Sequence, residues 1–271
     1  MKTIAIIPTL LTLGNAVCGF AAIAYASKID GTLETEYYFA LSGWLIFAAM
    51  IFDALDGYVA RLSRSASKFG GELDSLCDAI SFGIAPAFLL MRMGPGWEPR
   101  PLLHQALAGI ATLYMACTLL RLARFNVENS PDPASHKRFR GLPSPAAGGC
   151  LASLAILRYQ LPQMWGTVDP NFVFGLVEVW AMIGALLVAM LMVSQVPYPH
   201  LGKILYRGRW QFHHLVQILL LGFIIVILKE LALTLIFWSY ALIFLLRFVV
   251  VRSLRPQLLE PVTSLDKGLR H

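Results

Sequence analysis

Residues 53–80, DALDGYVARLSRSASKFGGELDSLCDAI, carry the clearest structural signal in this sequence. Two helical patterns meet in it, and a short polar segment at 63–69 separates them. A connection this short makes the two helices antiparallel neighbours. Apolar residues continue both patterns on either side of the quoted stretch. The sequence therefore predicts a helical hairpin.

Four aspartates lie on the facing sides of this predicted hairpin. Asp53 and Asp56 are one turn apart on its first helix, and Asp74 and Asp78 are one turn apart on its second. Residues three or four apart share one face of a helix. Asp53 is about 13 Å from the end of its helix and Asp78 is about 12 Å inside its own. We therefore expect the four carboxylates to meet at one depth.

The composition assigns the chain to the polytopic membrane proteins. Of its 271 residues, 57% are hydrophobic and 14% are charged, whereas soluble domains average about 25% charged residues. An apolar run of about 20 residues crosses a bilayer as a helix. We predict an all-α transmembrane bundle of about eight helices, of which the first six form a core. The expected spans are 7–27, 37–62, 70–92, 102–125, 145–161, 171–194, 211–229 and 231–251.

Basic residues mark one side of these predicted spans. Loops rich in lysine and arginine stay in the cytoplasm, so both termini and the four aspartates are expected on the cytoplasmic side of the inner membrane. The basic residues of that side are Arg64, Lys68, Lys137, Arg138, Arg140, Lys203, Arg207, Arg209, Arg252, Arg255, Lys267 and Arg270. The opposite loops are expected to hold Lys28, Asp30, Glu34, Glu36, Arg92, Glu98, Arg100, Arg158 and Asp169.

Three further features narrow the class of membrane protein. The net charge of +6 suits a protein that lies against anionic lipid, and no nucleic-acid-binding motif accompanies it. The first apolar segment resembles a secretory signal peptide with a cleavage site at residues 24–26. Its apolar run is longer than the 7–15 residues of the apolar region of a signal peptide, so we expect a membrane span there. No disulfide framework or zinc site is predicted, because the cysteines fall in apolar segments without a CxxC spacing. They are Cys18, Cys77, Cys117 and Cys150.

Four carboxylates at one depth in a membrane need neutralising partners. An isolated intramembrane carboxylate costs about 3 kcal/mol or more, and like charges repel one another. Carboxylate oxygens that converge from two helices are suitable ligands for Mg²⁺ or Mn²⁺, and two such ions balance four charges. Two ions also form a clamp for a diphosphate. The small residues Gly57, Ala60 and Gly70 leave room beside them for a nucleotide.

The same residues resemble the signature of a known family. The pattern DxxDGxxAR, followed after eight residues by GxxxDxxxD, is that of the CDP-alcohol phosphotransferases. Residues 7–23, 121–127 and 139–147 also resemble the bacterial membrane-embedded phosphatidylserine synthases. The resemblance extends over the first six predicted spans, about two thirds of the chain. The defined positions are all filled, by Asp53, Asp56, Gly57, Ala60, Arg61, Gly70, Asp74 and Asp78.

The resemblance implies an organisation and a reaction. Residues 1–194 are the six-helix CDP-alcohol phosphotransferase core, 195–252 add two helices without an assigned role, and 253–271 form a cytoplasmic tail. The implied enzyme of phospholipid biosynthesis transfers the phosphatidyl group of CDP-diacylglycerol to L-serine, giving phosphatidylserine and CMP. It acts within membrane lipid and is expected to be a homodimer.

The resemblance also implies roles for the motif. Asp53, Asp56 and Asp74 hold two Mg²⁺ or Mn²⁺ ions, and Asp78 is chiefly the general base for the serine hydroxyl, with a further share in metal binding. Arg61 and the ions stabilise the departing CMP. The expected nucleotide neighbours are Gly57, Ala60, Arg61 and Gly70, with Thr12 and Asn15 as weaker candidates.

Serine brings a carboxylate that needs a basic partner. Arg121 and Arg124, with Asn126 beyond them, lie at the cytoplasmic end of the fourth span, and an arginine fork matches a carboxylate in two places. We predict that one of these arginines, Arg121 in preference to Arg124, binds the serine carboxylate, and that Arg121, Arg124 and Asn126 together form the serine site. Alternatively, both arginines are ordinary anchors at the membrane surface.

Other residues are given structural interpretations. Ser144 is interpreted as a turn residue, and Trp180, Trp238 and Tyr240 are interpreted as packing or membrane-interface residues.

Two other functions remain open from the sequence. One is transfer to a different acceptor alcohol within the same family, such as choline, glycerol phosphate or inositol phosphate. Intramembrane carboxylates also occur in cation or proton transporters. The fixed helical offsets of the glycine, alanine and arginine beside the aspartates have no explanation in a transporter, and release of CMP distinguishes the two classes.

Overall fold

The fold is all-α over the part of the chain that the computed structural model describes. That part comprises residues 6–28, 33–63, 67–94, 101–128, 141–164, 169–198 and 230–254. Its residues form seven continuous helical segments, and no β-strand occurs among them. The predicted fold class is confirmed.

The helices are numbered in chain order over the described residues. A π-helical stretch, Ala79–Ile84, joins α3 to α4 without a break, so α3 and α4 form one segment. The bounds are α1 (Ile6–Ala26), α2 (Leu33–Leu62), α3 (Lys68–Asp78), α4 (Ala85–Met93), α5 (Pro101–Glu128), α6 (Ser144–Met164), α7 (Pro170–Val193) and α8 (Glu230–Leu254).

Six of the seven segments are long and apolar enough to cross a membrane, by length and composition: α1, α2, the α3–α4 segment, α5, α7 and α8. They match six of the predicted spans. The span predicted at 211–229 lies outside the described residues, as do the basic loop at 137–140, Lys203, Arg207, Arg209 and the tail from residue 255.

The remaining segment, α6, lies at the centre of the bundle. Its residues 146–156 are all buried, and it packs against α2, α7 and α8. Gly43 of α2 lies so close to α6 that an added Cβ would be 2.7 Å from the carbonyl oxygen of Ala152. A helix that other helices cover on every side uses small residues for close packing and does not need a lipid-facing apolar surface. This explains why the predicted fifth span, 145–161, is short and weakly apolar.

The hairpin predicted around residues 63–69 is present, but its two helices do not pack closely together. Ser67 caps α3, and its Oγ accepts a hydrogen bond of 3.0 Å from the backbone N–H of Gly70, as an N-cap serine does. The backbones of α2 and α3 make few direct contacts, whereas α1 packs against both helices. A gap therefore remains between α2 and α3, and side chains must span it.

The π-helical stretch has a local cause in Pro86. Proline has no N–H to donate to the carbonyl four residues earlier, which is that of Phe82. The hydroxyl of Tyr114 on α5 donates to this carbonyl instead, at 2.9 Å. On the other side, Ser81 Oγ donates to the backbone carbonyl of Asn15 on α1, at 2.9 Å. The widened turn is thus held between α1 and α5, directly after Asp78.

A buried ion-pair network lies at the opposite end of the bundle. Arg158 of α6 bonds both carboxylate oxygens of Glu36 at 2.7 and 2.9 Å, and Glu178 at 3.0 Å. It also donates to the backbone carbonyl of Met93. The prediction that Glu36 and Arg158 belong to loops is wrong. Both lie within helices, because pairing allows these charges to be buried.

Candidate active site

Three of the four aspartates converge in the gap between α2 and α3. Asp53, Asp56 and Asp74 each contribute one carboxylate oxygen to a group in which all the oxygens lie within 4.8 Å of one another. Asp56 is buried, and the other two are half-buried. The predicted meeting of carboxylates from the two helices of the hairpin is therefore observed for these three side chains.

This three-aspartate cluster is only partly compensated by neighbouring groups. Asp56 Oδ2 and Asp74 Oδ1 are buried and have no hydrogen-bond partner within the described part of the chain. A buried carboxylate oxygen without a partner is costly, and neighbouring carboxylates add repulsion. Mg²⁺ and Mn²⁺ take carboxylate oxygens as ligands. The donor set, its spacing and its orphaned oxygens therefore fit a divalent cation.

Asp78 lies deeper, outside the group formed by these three aspartates. It is buried, and its Oδ1 accepts a hydrogen bond of 3.0 Å from Asn15 Nδ2. It remains close enough to Asp53 and Asp74 to interact with them electrostatically. One carboxylate oxygen is thus fixed by α1, while the side chain stays beside the cluster.

The two buried polar residues of α1, Thr12 and Asn15, lie beside aspartates. Thr12 Oγ1 donates to the carbonyl of Pro8 at 2.9 Å and lies within hydrogen-bonding reach of Asp56. Asn15 is completely buried, and its Oδ1 has no partner among the described residues. Gly19 allows α1 to approach this closely, because an added Cβ would lie 2.7 Å from Ser81 Cα. Of the two predicted nucleotide neighbours on α1, Asn15 thus bonds directly to an aspartate, and Thr12 lies beside one.

The small residues of the motif leave the neighbourhood of the aspartates open. A Cβ added to Gly57 would meet only the guanidinium of Arg61, at 3.6 Å. Ala60 is half-buried and Arg61 is exposed. The backbone N–H of Gly70 is used by the Ser67 cap. Arg61 therefore lies beside Gly57 at the accessible rim of the site.

Arg121 points into the bundle. Its Nη1 donates a hydrogen bond of 2.8 Å to Ser144 Oγ, and its guanidinium is close enough to Asp53 and Asp78 for electrostatic interaction. Ser144 is completely buried and begins α6. Its reading as a simple turn residue missed this contact, although its position before Pro145 at the start of a helix was a usable signal.

The other two residues predicted to bind serine lie elsewhere. Arg124 is exposed. Asn126 accepts a hydrogen bond of 2.9 Å from Ser75 Oγ and donates to Glu72 at 3.4 Å, so it links α5 to α3. Of the three predicted residues, the structure brings Arg121 to the interior beside the aspartates.

The segment before Ser144 is anchored to the end of α7. The backbone N–H of Gly141 donates to the carbonyl of Val196 at 2.8 Å, and that of Leu142 to the carbonyl of Leu191 at 3.0 Å. Gly141 has a φ of 96°, a conformation that favours glycine, and an added Cβ would overlap the carbonyl of Met192. These contacts fix the start of α6 and hence the position of Ser144.

Comparison with known proteins gives consistent matches. The sequence model of the family described as CDP-alcohol phosphatidyltransferase matches residues 5–191. A Helicobacter pylori (strain 26695) protein is 34% identical over 198 residues, which cover 73% of this chain and 73% of the relative. A Bacillus subtilis (strain 168) protein is 33% identical over 75% of this chain and 98% of its own. A Methanocaldococcus jannaschii protein is 37% identical over 57% of this chain and 62% of its own. All three relatives are named CDP-diacylglycerol--serine O-phosphatidyltransferase.

Proposed function

This chain belongs to the CDP-alcohol phosphatidyltransferase family, and we propose that it transfers the phosphatidyl group of CDP-diacylglycerol to the hydroxyl of L-serine. The products are phosphatidylserine and CMP. The observation that carries the chemistry is the convergence of Asp53, Asp56 and Asp74, with their orphaned oxygens, beside the guanidinium of Arg121. The names of the relatives support serine as the acceptor.

The three-aspartate cluster supports a metal site. Asp53, Asp56 and Asp74 would hold a divalent cation, Mg²⁺ or Mn²⁺, which would polarise the diphosphate and offset the charge that develops there. We expect two ions, because the cluster and Asp78 together carry four carboxylates. Thr12 lies beside Asp56 on the side of α1.

Asp78 is the proposed general base. It takes the proton of the serine hydroxyl as the serine oxygen forms a bond to the phosphorus that carries the diacylglycerol. The bond from that phosphorus to the bridging oxygen of the diphosphate breaks, and the electron pair leaves with CMP. Asn15 donates to Asp78 Oδ1, which leaves the second carboxylate oxygen to accept the proton. A positioned base contributes about 10²- to 10⁴-fold to such a rate.

Basic residues orient the two substrates. Arg121 is the proposed partner of the serine carboxylate, with Ser144 holding its guanidinium at 2.8 Å. Arg61 at the rim is the proposed partner of the departing CMP, and the open space beside Gly57, Ala60 and Gly70 receives the nucleotide. Arg124 and Asn126 are more peripheral in this proposal, since one is exposed and the other links α5 to α3.

The proposal includes a setting in the membrane. Glu36 and Asp53 are 17 residues apart on α2, so the Arg158 network and the aspartates are separated by about 25 Å along the helix axis. We propose that the aspartates face the cytoplasm, because basic residues beside them, such as Lys68, favour that side of the membrane. The same proposal includes an inner-membrane location and a homodimer. It divides the chain into a core of 1–194, two helices at 195–252 and a tail at 253–271.

Release of CMP tests the proposed function. Purified protein in mixed micelles with CDP-diacylglycerol, serine and Mg²⁺ or Mn²⁺ is expected to release CMP and form phosphatidylserine in equal amounts. Parallel reactions replace serine with choline, glycerol phosphate or inositol phosphate. CMP release with one of these and none with serine would reassign the acceptor. Ion flux in vesicles without any CMP release would instead favour the transporter.

A further inference from the structure

We propose that Tyr240, on the helix α8 beyond the family match, is a positioning residue for Arg121 and so for the carboxylate of the acceptor. The family match ends at residue 191, and α8 begins at Glu230. The inference rests on the proposed function, because it assigns a role to Arg121 in holding serine. It gives the additional helix a part in the acceptor site.

The register of α8 against α6 brings Tyr240 to the right level. Thr234 Oγ1 donates to the carbonyl of Ser153 at 3.2 Å, and Trp238 Nε1 donates to the carbonyl of Cys150 at 3.2 Å. The residue numbers rise along α8 as they fall along α6, so the two helices run antiparallel. The next turn of α8, residues 239–242, therefore lies beside about residues 146–149 of α6, roughly one helical turn from Ser144.

Aromatic contacts fix the ring of Tyr240 there. Its ring centroid lies 5.6 Å from that of Tyr198 and 5.4 Å from that of Phe244. The hydroxyl of Tyr198 donates to the carbonyl of Ala241 at 2.9 Å. Tyr198 lies two residues after Val196, whose carbonyl accepts a hydrogen bond from the backbone N–H of Gly141. Residues 196–198 therefore contact both the segment before Ser144 and the turn of α8 that contains Tyr240.

The chemistry of the guanidinium explains what Tyr240 contributes. The side chains of Arg121 and Tyr240 are close enough to interact electrostatically, and Arg121 Nη1 already donates to Ser144 Oγ. A guanidinium has five N–H donors, of which a carboxylate takes two, and a phenol oxygen can accept one. Ser144 and Tyr240 can therefore orient the guanidinium from α6 and α8 while donors remain for the carboxylate of the acceptor.

The test removes the hydroxyl of Tyr240 alone. Tyr240→Phe is expected to raise the KM for serine about five- to tenfold, with kcat within about twofold of the wild type. This is less than the full loss of a hydrogen bond to a charged group, because Arg121 keeps its bond to Ser144 and its own contact with serine. The matched control is Tyr159→Phe. Tyr159 is a half-buried tyrosine in another aromatic pair, about 22 Å further along α6 from Ser144, and its variant is expected to keep the wild-type KM.

A double-mutant comparison separates positioning of Arg121 from simple packing. In an Arg121→Lys background, Tyr240→Phe is expected to change the KM for serine by less than about twofold, because its partner is already lost. Thermal unfolding of each variant shows that the fold is kept. A wild-type KM in Tyr240→Phe, or an undiminished effect in the Arg121→Lys background, overturns the inference and leaves the proposed function standing. A wild-type protein that releases no CMP with serine overturns both.

Discussion

Asn15 Nδ2 lies 3.0 Å from Asp78 Oδ1, and this buried hydrogen bond joins α1 to the end of α3. It distinguishes Asp78 from Asp53, Asp56 and Asp74, whose oxygens form their own group. An amide that donates to one oxygen of a carboxylate fixes the orientation of the other. The pairing is therefore the structural basis for giving Asp78 a role different from that of its three neighbours.

Asn15→Leu should impair the base without removing it. The substitution keeps a similar side-chain size but takes away the donor to Asp78, so kcat is expected to fall about 10- to 100-fold with little change in the KM for serine. Steady-state CMP release measures both constants. Ser42→Ala is the matched control, because Ser42 Oγ of α2 makes a different buried hydrogen bond to α1, at 2.8 Å to the carbonyl of Ala22. An equal loss of kcat in the control would contradict a specific role for Asn15.

Asp53→Asn and Asp78→Asn should differ in their response to metal. Each is expected to lower kcat by about 10²-fold or more, since one removes a ligand and the other removes the base. Raising the Mn²⁺ concentration should partly restore Asp53→Asn, because a weakened metal site refills by mass action. It should not restore Asp78→Asn. Equal rescue of both variants in a Mn²⁺ titration of CMP release would refute this division of roles.

The helices and the motif could be predicted because their signals are local. The spacing of Asp53 and Asp56 fixes them on one face of α2, and the short connection to α3 forces the two helices into a hairpin. The contacts that organise the site are different in kind. Asn15 and Asp78 are 63 residues apart, and Arg121 and Ser144 are 23 apart, so these pairs depend on how separate helices pack.

The same reason explains the errors at the other end of the bundle. Arg158 and Glu36 are separated by 122 residues, and each alone looks like a loop charge beside an apolar run. Only the packed bundle brings them together and buries them. The predicted span 145–161 is shorter than α6, because the small residues of this helix pack against α2, α7 and α8 and give a weak apolar signal in the sequence.

Arg121→Lys should weaken the binding of serine more than it slows turnover. Lysine keeps the charge but loses the planar fork that binds a carboxylate in two places, so the KM for serine is expected to rise about tenfold or more. Arg92→Lys is a suitable control, because Arg92 Nε donates to the carbonyl of Ala26 away from the aspartates, at 3.3 Å. An unchanged KM for serine in Arg121→Lys would remove Arg121 from the acceptor site.

Arg158→Met should destabilise the bundle. It leaves Glu36 and Glu178 without their shared cation in a buried position, and breaking such a pair on one side costs about 3 to 5 kcal/mol. The triple variant Arg158→Met, Glu36→Gln, Glu178→Gln should recover much of that loss, because no uncompensated charge remains. Denaturant unfolding of the protein in detergent compares the two, and a single variant as stable as the wild type would contradict this account of the network.

Binding of Mn²⁺ to the purified protein measures the proposed three-carboxylate metal site apart from catalysis. Electron paramagnetic resonance of free Mn²⁺ gives the affinity. Asp53→Asn and Asp74→Asn are expected to weaken binding at least about tenfold, whereas Asn15→Leu keeps it within about threefold. Wild-type affinity in both aspartate variants would contradict a metal site formed by the three carboxylates.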